Sequence, residues 1–420
     1  MEEDLIKVYR LGEDPIEIPR SGIIWTDRSR MACPCPRKRY LESEYAGTGY
    51  ISVARNEDLT IGGAVHEGID LLLQGGSLDK ALTVAEENYL GAHPWGDWLL
   101  PEQKEILTGD GLHIVKALVY AFHSCYLPQY LEQYEVIDVE EEINWLLHYD
   151  DTVKRYIVCM SRPDAVLRDR KTGKIWHVSH KTAKKFDDIV LARLDVDLQR
   201  FAEGLAVEAK YGEPIEGTLY NYLIKGDRRK DEATGCDRYT TGLIRPYIFR
   251  QSGGDLTPEM ISFGWEWNHL DITTGQVSKK RLGKGWEKVD IHKEMDFMTY
   301  LGWLEQKWVQ REGNDYLLDA IAGMVPVYWN ADHARRWMLG AGLEELIWFY
   351  KIVVTGNKAD LNDDEVAKKI PLASSHCFSY NHRCQYFDVC WRGRHPDTLL
   401  DEGSLIHREP NHLQEFYAEL

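Results

Sequence analysis

The sequence predicts a mixed α/β protein, and three stretches carry that prediction. Residues 135–182 read as three successive strands, residues 195–212 as an amphipathic helix, and residues 217–226 as a fourth strand. The strands are "EVIDVEEEINWLL" (135–147), "RYIVCMSRPDAVLRD" (155–169) and "KIWHVSHKT" (174–182), rich in β-branched and aromatic residues. Lys171-Thr172-Gly173 marks the turn between the last two. The helix "DVDLQRFAEGLAVEAKYG" ends at Gly212, a residue suited to the left-handed C-cap. "GTLYNYLIKG" then returns as a strand.

Helices flank this core. "GGAVHEGIDLLLQ" (62–74) has helical apolar spacing, and "SLDKALTVAEENYL" opens on a serine cap. A longer helical stretch from Pro101 to Tyr134 is interrupted near Pro128. Residues 227–295 carry strand and turn signals; helices are expected at 294–310 and 331–354, and "NKADLNDDEVAKK" is a polar linker.

The 420 residues exceed one minimal core, and no internal repeat or low-complexity tract divides them. No apolar run approaches the roughly 20 residues a membrane helix needs. The start "MEEDLIKVYR" lacks the basic-then-apolar order of a secretory signal, so a cytoplasmic protein is expected. A formal charge of −18 speaks against nonspecific coating of nucleic acid. Local basic runs stand out against it, among them Arg28, Arg30, Arg37, Lys38 and Arg39, and Lys181, Lys184 and Lys185. A charge run is most often a solvated face.

Side chains alternate across a strand, so His177, Ser179 and Lys181 share one face and Val178 and His180 the other. Asp164 follows Pro163 within the preceding strand stretch. If these strands are neighbours, Asp164 and Lys181 converge. An aspartate can hold a divalent cation, and a lysine beside it can orient water and stabilise charge developing on phosphate. Glu140, Glu141 and Glu142 lie on the first predicted strand, where alternation separates Glu141 from the other two.

Of the eight cysteines, Cys377, Cys384 and Cys390 are spaced C-x6-C-x5-C, and Cys33 and Cys35 lie near the other end. Together they can form a four-thiolate site that staples the two regions. Thiolates in such a set suit zinc or an iron–sulfur cluster, and the absence of C-x2–4-C pairs leans toward the cluster. Cys125, Cys159 and Cys236 are isolated and read as buried or incidental thiols.

The order "GGAVHEGI", "RPDAV", "VSHKT", "LQRFAEG" resembles the PD-(D/E)XK nuclease superfamily, in particular its RecB-like and AddB-like exonuclease branch. The resemblance matches Gly62 and His66 to a helical Gly-x-x-x-His, Asp164 to the second-motif acid, Lys181 to the catalytic lysine and Gln199 to the start of Gln-x-x-x-Tyr. It implies a restriction-endonuclease-like mixed central sheet flanked by helices. It also implies Mg²⁺ or Mn²⁺ held by His66, Asp164 and the backbone carbonyl of His180. Two positions depart from the pattern: Ser179 replaces an acid and Glu203 replaces the tyrosine. Glu203 lies one turn after Gln199, and a carboxylate moved to this helix can complete the site; Asp197 and His177 are further candidates. Iron–sulfur members of the branch, CRISPR-associated exonucleases among them, carry an early cysteine in Cys-Pro-Arg-x-x-Tyr. Cys35, Pro36, Arg37 and Tyr40 reproduce that context. The resemblance therefore implies a 4Fe-4S cluster on Cys35, Cys377, Cys384 and Cys390, with Zn²⁺ and Cys33 as alternatives.

The function so implied is a metal-dependent DNA nuclease, an exonuclease on single-stranded or resected ends, in a prokaryotic or phage-encoded setting of DNA repair or recombination. Arg37, Arg39, Lys184 and Lys185 would track the DNA backbone, and a helicase, recombinase or other DNA-processing protein would be the partner. The alternative is a catalytically silent DNA-binding or assembly subunit that keeps the fold and an iron–sulfur or zinc clasp. The expected organisation is an N-terminal arm with the first cluster cysteine (1–60), a helical region with the histidine motif (61–134), the nuclease core (135–226), a strand and loop extension (227–295), a helical region (296–360) and a cluster-binding region (361–420).

Overall fold

One long β-hairpin, running from Tyr134 to Asp169, organises the chain, and it is broken at the same level in both arms. The computed structural model describes residues 4–45, 49–52, 57–92, 111–151 apart from 113, 154–183, 192–224 apart from 195, 322–349, 373–379 and 382–408. Short strands between 228 and 289 and Ile370 are described as well.

In chain order the elements are β1 (Leu5–Arg10), β2 (Glu13–Pro19), β3 (Ile23–Asp27), α1 (Arg28–Ala32), α2 (Pro36–Ser43), β4 (Tyr50–Ser52), α3 (Glu57–Leu73) and α4 (Leu78–Gly91). A π-type turn over Phe122–Tyr126 leads into α5 (Leu127–Gln133). Then come β5 (Tyr134–Val139), β6 (Ile143–Asp150), β7 (Arg155–Ser161), β8 (Ala165–Asp169), β9 (Ile175–Ala183), α6 (Leu198–Tyr211) and β10 (Ile215–Ile224). The C-terminal half contributes β11 (Ala322–Tyr328), α7 (Ala331–Phe349), α8 (Phe387–Arg392), α9 (Pro396–Asp401) and β12 (Leu405–His407).

The architecture is mixed α/β, with two five-stranded sheets. The first has the order β11-β10-β9-β8-β5, in which β9 and β10 are parallel and the other pairs antiparallel. The second has the order β2-β1-β6-β7-β3. Each hairpin arm serves both sheets: β5 continues as β6, and β7 continues as β8. The break has a local cause. Pro163 has no N–H to give to a ladder, and Glu140 opposite it adopts a left-handed φ of 54°. The Glu140 N–H donates to the Asp164 carbonyl at 3.2 Å, pinning the two breaks together.

The predicted strands 135–147 and 155–169 are therefore two strands each. Glu140, Glu141 and Glu142 lie in the break between β5 and β6, so strand alternation governs none of them. The N-terminal arm also differs from expectation, since β1–β3 build most of the second sheet with Ile6, Val8 and Ile18 buried against Val158. The interruption expected near Pro128 falls just before it, at the π-type turn, and Pro128 itself occupies the first turn of α5, where a missing N–H is tolerated. The helix expected at 294–310 and most of 227–295 lie outside the described residues, and the 331–354 helix is described as far as Phe349.

Two cores meet across the first sheet. On one face α3, α4 and residues 114–134 pack Ile61, Val65, Ile69, Tyr89 and Phe122 against Val178, Leu219 and Leu223. On the other, Phe201, Leu205 and Val207 of α6 pack with Ile175, Trp145 and Met338. Because α6 lies between strands of both sheets and α7, every residue from Gln199 to Ala209 is buried, including Glu203 and Glu208. Asp197 caps its N-terminus by accepting from the Gln199 N–H at 3.0 Å, and Gly212 ends it at φ +69°.

The N- and C-terminal regions are joined. Strand β4 pairs antiparallel with β12, the Tyr50 hydroxyl donates to Asp397 at 2.9 Å, and the Tyr386 hydroxyl donates to the Tyr50 carbonyl. Tyr40, Leu41, Tyr45 and Tyr50 pack there with Tyr386, Leu399 and Leu405. Among the described residues, no helix is long and apolar enough to cross a membrane.

Candidate active site

The break in the hairpin delivers Asp164 to the middle of β9. Its Oδ2 accepts from the His180 N–H at 2.5 Å, and its Oδ1 lies 3.8 Å from His66 Nδ1 on α3. Helix α3 comes this close because of Gly62, one turn before His66. A Cβ on Gly62 would stand 3.0 Å from the Thr182 hydroxyl of β9. Burial alone would raise the Asp164 carboxyl, but His66, His180 and Lys181 hold it below the usual range as an anion.

On the opposite face of β9 a second chain of contacts runs along α6. Lys181 Nζ donates to Gln199 Oε1 at 2.5 Å, and Gln199 Nε2 donates to Glu203 Oε1 at 2.8 Å. Glu203 Oε2 is buried with no partner, and so is the Ser179 hydroxyl two residues before Lys181. Burial pushes the Glu203 carboxyl up to about 8, against the pull of Arg28, while Asp164 adds to the rise. His177, on this face, is buried and shares a contact of 3.2 Å with the Thr218 hydroxyl; burial pushes it down to about 3.

Lys181, Asp164, His66, Gln199 and Glu203 are thus brought into one neighbourhood from α3, β9, α6 and the break in the hairpin, and the His180 backbone lies among them. Asp197, offered as a compensating acid, is instead committed to the α6 cap and to the Tyr220 hydroxyl at 2.9 Å. Lys184 and Lys185 lie outside the described residues.

The basic run near the N-terminus divides. Arg39, expected to track DNA, is buried, forms a two-pronged ion pair with Glu345 at 2.6 and 2.8 Å, and lies over the Trp348 ring. That contact ties α2 to α7 and leaves no donor plane for phosphate. Arg37 is half-buried and donates to the Ile370 carbonyl at 2.7 and 3.1 Å. Arg28, which sequence reasoning noted only as part of the run, is exposed at the start of α1 and within electrostatic reach of both Glu203 and His66.

Two more acids lie nearby: Asp70, which the sequence reading missed, and Glu140, one of three glutamates it had named. Asp70, one turn beyond His66, is buried with an unpartnered Oδ1, and burial with Glu140 and Asp164 nearby pushes it up to about 9. Glu140, paired with Arg162 at 2.8 Å, is pushed up to about 7 by burial and by Asp164. The i, i+4 spacing of His66 and Asp70 was the available signal.

The cysteines expected as ligands lie at the start of α2 and in and before α8. Cys35 and Cys377 are buried, the Cys384 N–H donates to the Cys377 carbonyl at 2.8 Å, and the Trp391 indole N–H donates to Cys377 Sγ at 3.2 Å. Burial pushes the Cys390 thiol up to about 11, with Cys384, Cys35 and Cys377 near enough to add to it and Arg37 opposing. Cys33 faces Lys38 and Glu42 instead, and its thiol contacts the Cys35 carbonyl at 3.5 Å.

Among the described residues, no three His, Cys, Asp or Glu side chains are disposed as a finished metal-holding group. The orphaned buried atoms of Asp70, Ser179, His180 and Glu203 around Asp164 and Lys181 nevertheless fit a polar or cationic ligand better than an empty core. No family model matches the chain, and no curated protein matches it in sequence.

Proposed function

We propose that the protein is a metal-dependent deoxyribonuclease of the PD-(D/E)XK type, acting on ends of linear or single-stranded DNA. The observation that carries this reading is the convergence of Asp164, Lys181, Gln199, Glu203 and His66 at one broken hairpin, with Lys181 held by a neutral amide. The mixed sheet, with antiparallel β8 and β9 followed by parallel β9 and β10 between helical layers, supports a restriction-endonuclease-like core.

His66, Asp164 and the His180 carbonyl would hold Mg²⁺ or Mn²⁺, with Glu203 supplying the acid that Ser179 lacks. Such an ion polarises a phosphoryl oxygen and makes water more acidic. Lys181 places a positive charge where the attacking water and the phosphate meet, and Gln199 fixes its direction. Glu203, anchored by Gln199 and buried, keeps its proton near neutral pH until a cation in the site draws it off and leaves the carboxylate as ligand. Arg28, exposed and within electrostatic reach of Glu203, would grip the phosphate backbone.

The four cysteines 35, 377, 384 and 390 would hold a 4Fe-4S cluster over the β4–β12 junction. Cluster ligation would add to a joint already made by tyrosine hydrogen bonds and apolar packing. An anaerobic preparation is expected to be brown, whereas a colourless protein with stoichiometric zinc contradicts the cluster.

One observation favours a second reading, a silent DNA-binding subunit: Ser179 leaves the sheet face without the acid that normally anchors a cation there. Labelled linear DNA incubated with Mg²⁺ or Mn²⁺ separates the two. Wild type cleaving far faster than Lys181→Ala and Asp164→Ala supports the enzyme. Equal rates for all three support the silent subunit.

A further inference from the structure

We propose that the imidazole of His180, and not only its backbone carbonyl, is a ligand to the divalent ion that His66 and Asp164 hold. This rests on the metal-dependent reading above and gives the site two nitrogens. His180 points to the α3 face of β9, away from Ser179 and Lys181. Its ring stands 5.6 Å from the His66 ring at an interplanar angle of 77°, and 5.8 Å from Phe122. It is 1% exposed, and its Nε2 has no partner.

The other ring nitrogen is fixed. Nδ1 lies 3.0 Å from the side-chain amide of Asn221 on β10, itself fully buried with its second amide atom, Oδ1, unpartnered. The oxygen and nitrogen of an amide are interchangeable by a flip. With Oδ1 toward the ring, Nδ1 carries the proton, and Nε2 presents a bare lone pair to the buried space. Metal-bound histidines are typically held in this way, by an acceptor on the nitrogen that does not bind.

Asp164 is prepared in the same manner. The His180 N–H occupies Oδ2, which leaves Oδ1 facing His66 Nδ1 across 3.8 Å. That is too long for a hydrogen bond. Two ligands at about 2.1 Å from one ion stand roughly 3 to 3.4 Å apart, so a small adjustment closes them on a cation. Asp70, one turn from His66 on α3, brings a buried oxygen that has no partner. The consequence is selectivity: imidazole donors favour Mn²⁺ and Co²⁺ over Mg²⁺, which prefers oxygen.

The test uses the full chain stripped of divalent ions and loaded with Mn²⁺ alone, read by electron spin-echo modulation, which counts bound imidazole nitrogens. Two are expected in wild type, one in His66→Ala and one in His180→Phe, a variant that fills the space beside Phe122 without a nitrogen. His180→Phe is also expected to bind Mn²⁺ about 10- to 100-fold more weakly, and Asn221→Leu about tenfold. A single nitrogen in wild type that disappears in His66→Ala overturns the role of His180 and leaves the metal site standing. No bound Mn²⁺ in wild type overturns the metal-dependent reading itself. The wild-type count needs no variant, so a misfolded His180→Phe does not protect the proposal.

Discussion

Lys181 and Arg39 carry the same sequence signal, a cation within a basic cluster beside a motif, and the fold treats them in opposite ways. Arg39 meets a full carboxylate in both prongs of Glu345, and Trp348 covers its plane. Its charge is neutralised, and it is part of the scaffold. Lys181 meets a neutral amide, Gln199, and among the described residues it makes no salt bridge. Its charge therefore remains available to an anion. The difference teaches that what decides a cation's role is whether its partner cancels the charge, which a basic run in sequence does not reveal.

The comparison breaks most severely at Arg39. Removing one partner of a buried ion pair strands the other, so Arg39→Met is expected to destabilise the protein by about 3–5 kcal/mol. DNA affinity, measured on the folded fraction, is expected to stay within a few-fold. A large loss of DNA affinity with unchanged urea denaturation would return Arg39 to the interface.

Glu203 sharpens the other side. A carboxyl that holds its proton to about 8 in the native state loses it near 4.5 when unfolded. Between those values the unfolded state binds fewer protons, so metal-free stability falls as pH rises from about 4.5 to 8. Glu203→Gln should flatten that slope by an amount on the order of a few kcal/mol, seen in denaturant melts at pH 5 and 8 with chelator present. Asp70, raised to about 9, leaves a residual slope in the variant. An unchanged slope would mean that Glu203 is not the protonated buried acid.

Arg28 provides the smallest effect. It is exposed, and its charge reaches Glu203 and His66. Arg28→Ala is expected to weaken DNA binding by about tenfold at low salt and to reduce the salt slope by about one unit. A titration at several salt concentrations checks both.

Much of this was legible in local pattern. The strand ending at Lys181 and the α6 helix with its Gly212 end follow from short-range periodicity and turn chemistry, whereas the order His66, Asp164, Lys181, Gln199 was legible only through the resemblance to a nuclease family. What was hidden depends on distant partners. Arg39 and Glu345 are 306 residues apart, and nothing near Arg39 in sequence announces the pair. Asp70 lies in a helix whose residue pattern does not announce that this acid is buried. The break itself looked like a proline within one strand, because the left-handed turn at Glu140 on the facing arm leaves no mark in the residue types. Strands β1 and β2 were concealed by their charged alternation, in which only Ile6, Val8 and Ile18 are buried.

The most direct test of the claim that Lys181 keeps its charge for substrate is a paired measurement on Lys181→Met. Cleavage of end-labelled linear DNA in Mn²⁺ and equilibrium DNA binding are followed on the same preparation. Cleavage is expected to fall about 10²- to 10³-fold while binding changes only a few-fold, as befits a charge used in the transition state. Cleavage equal to that of wild type would contradict the account.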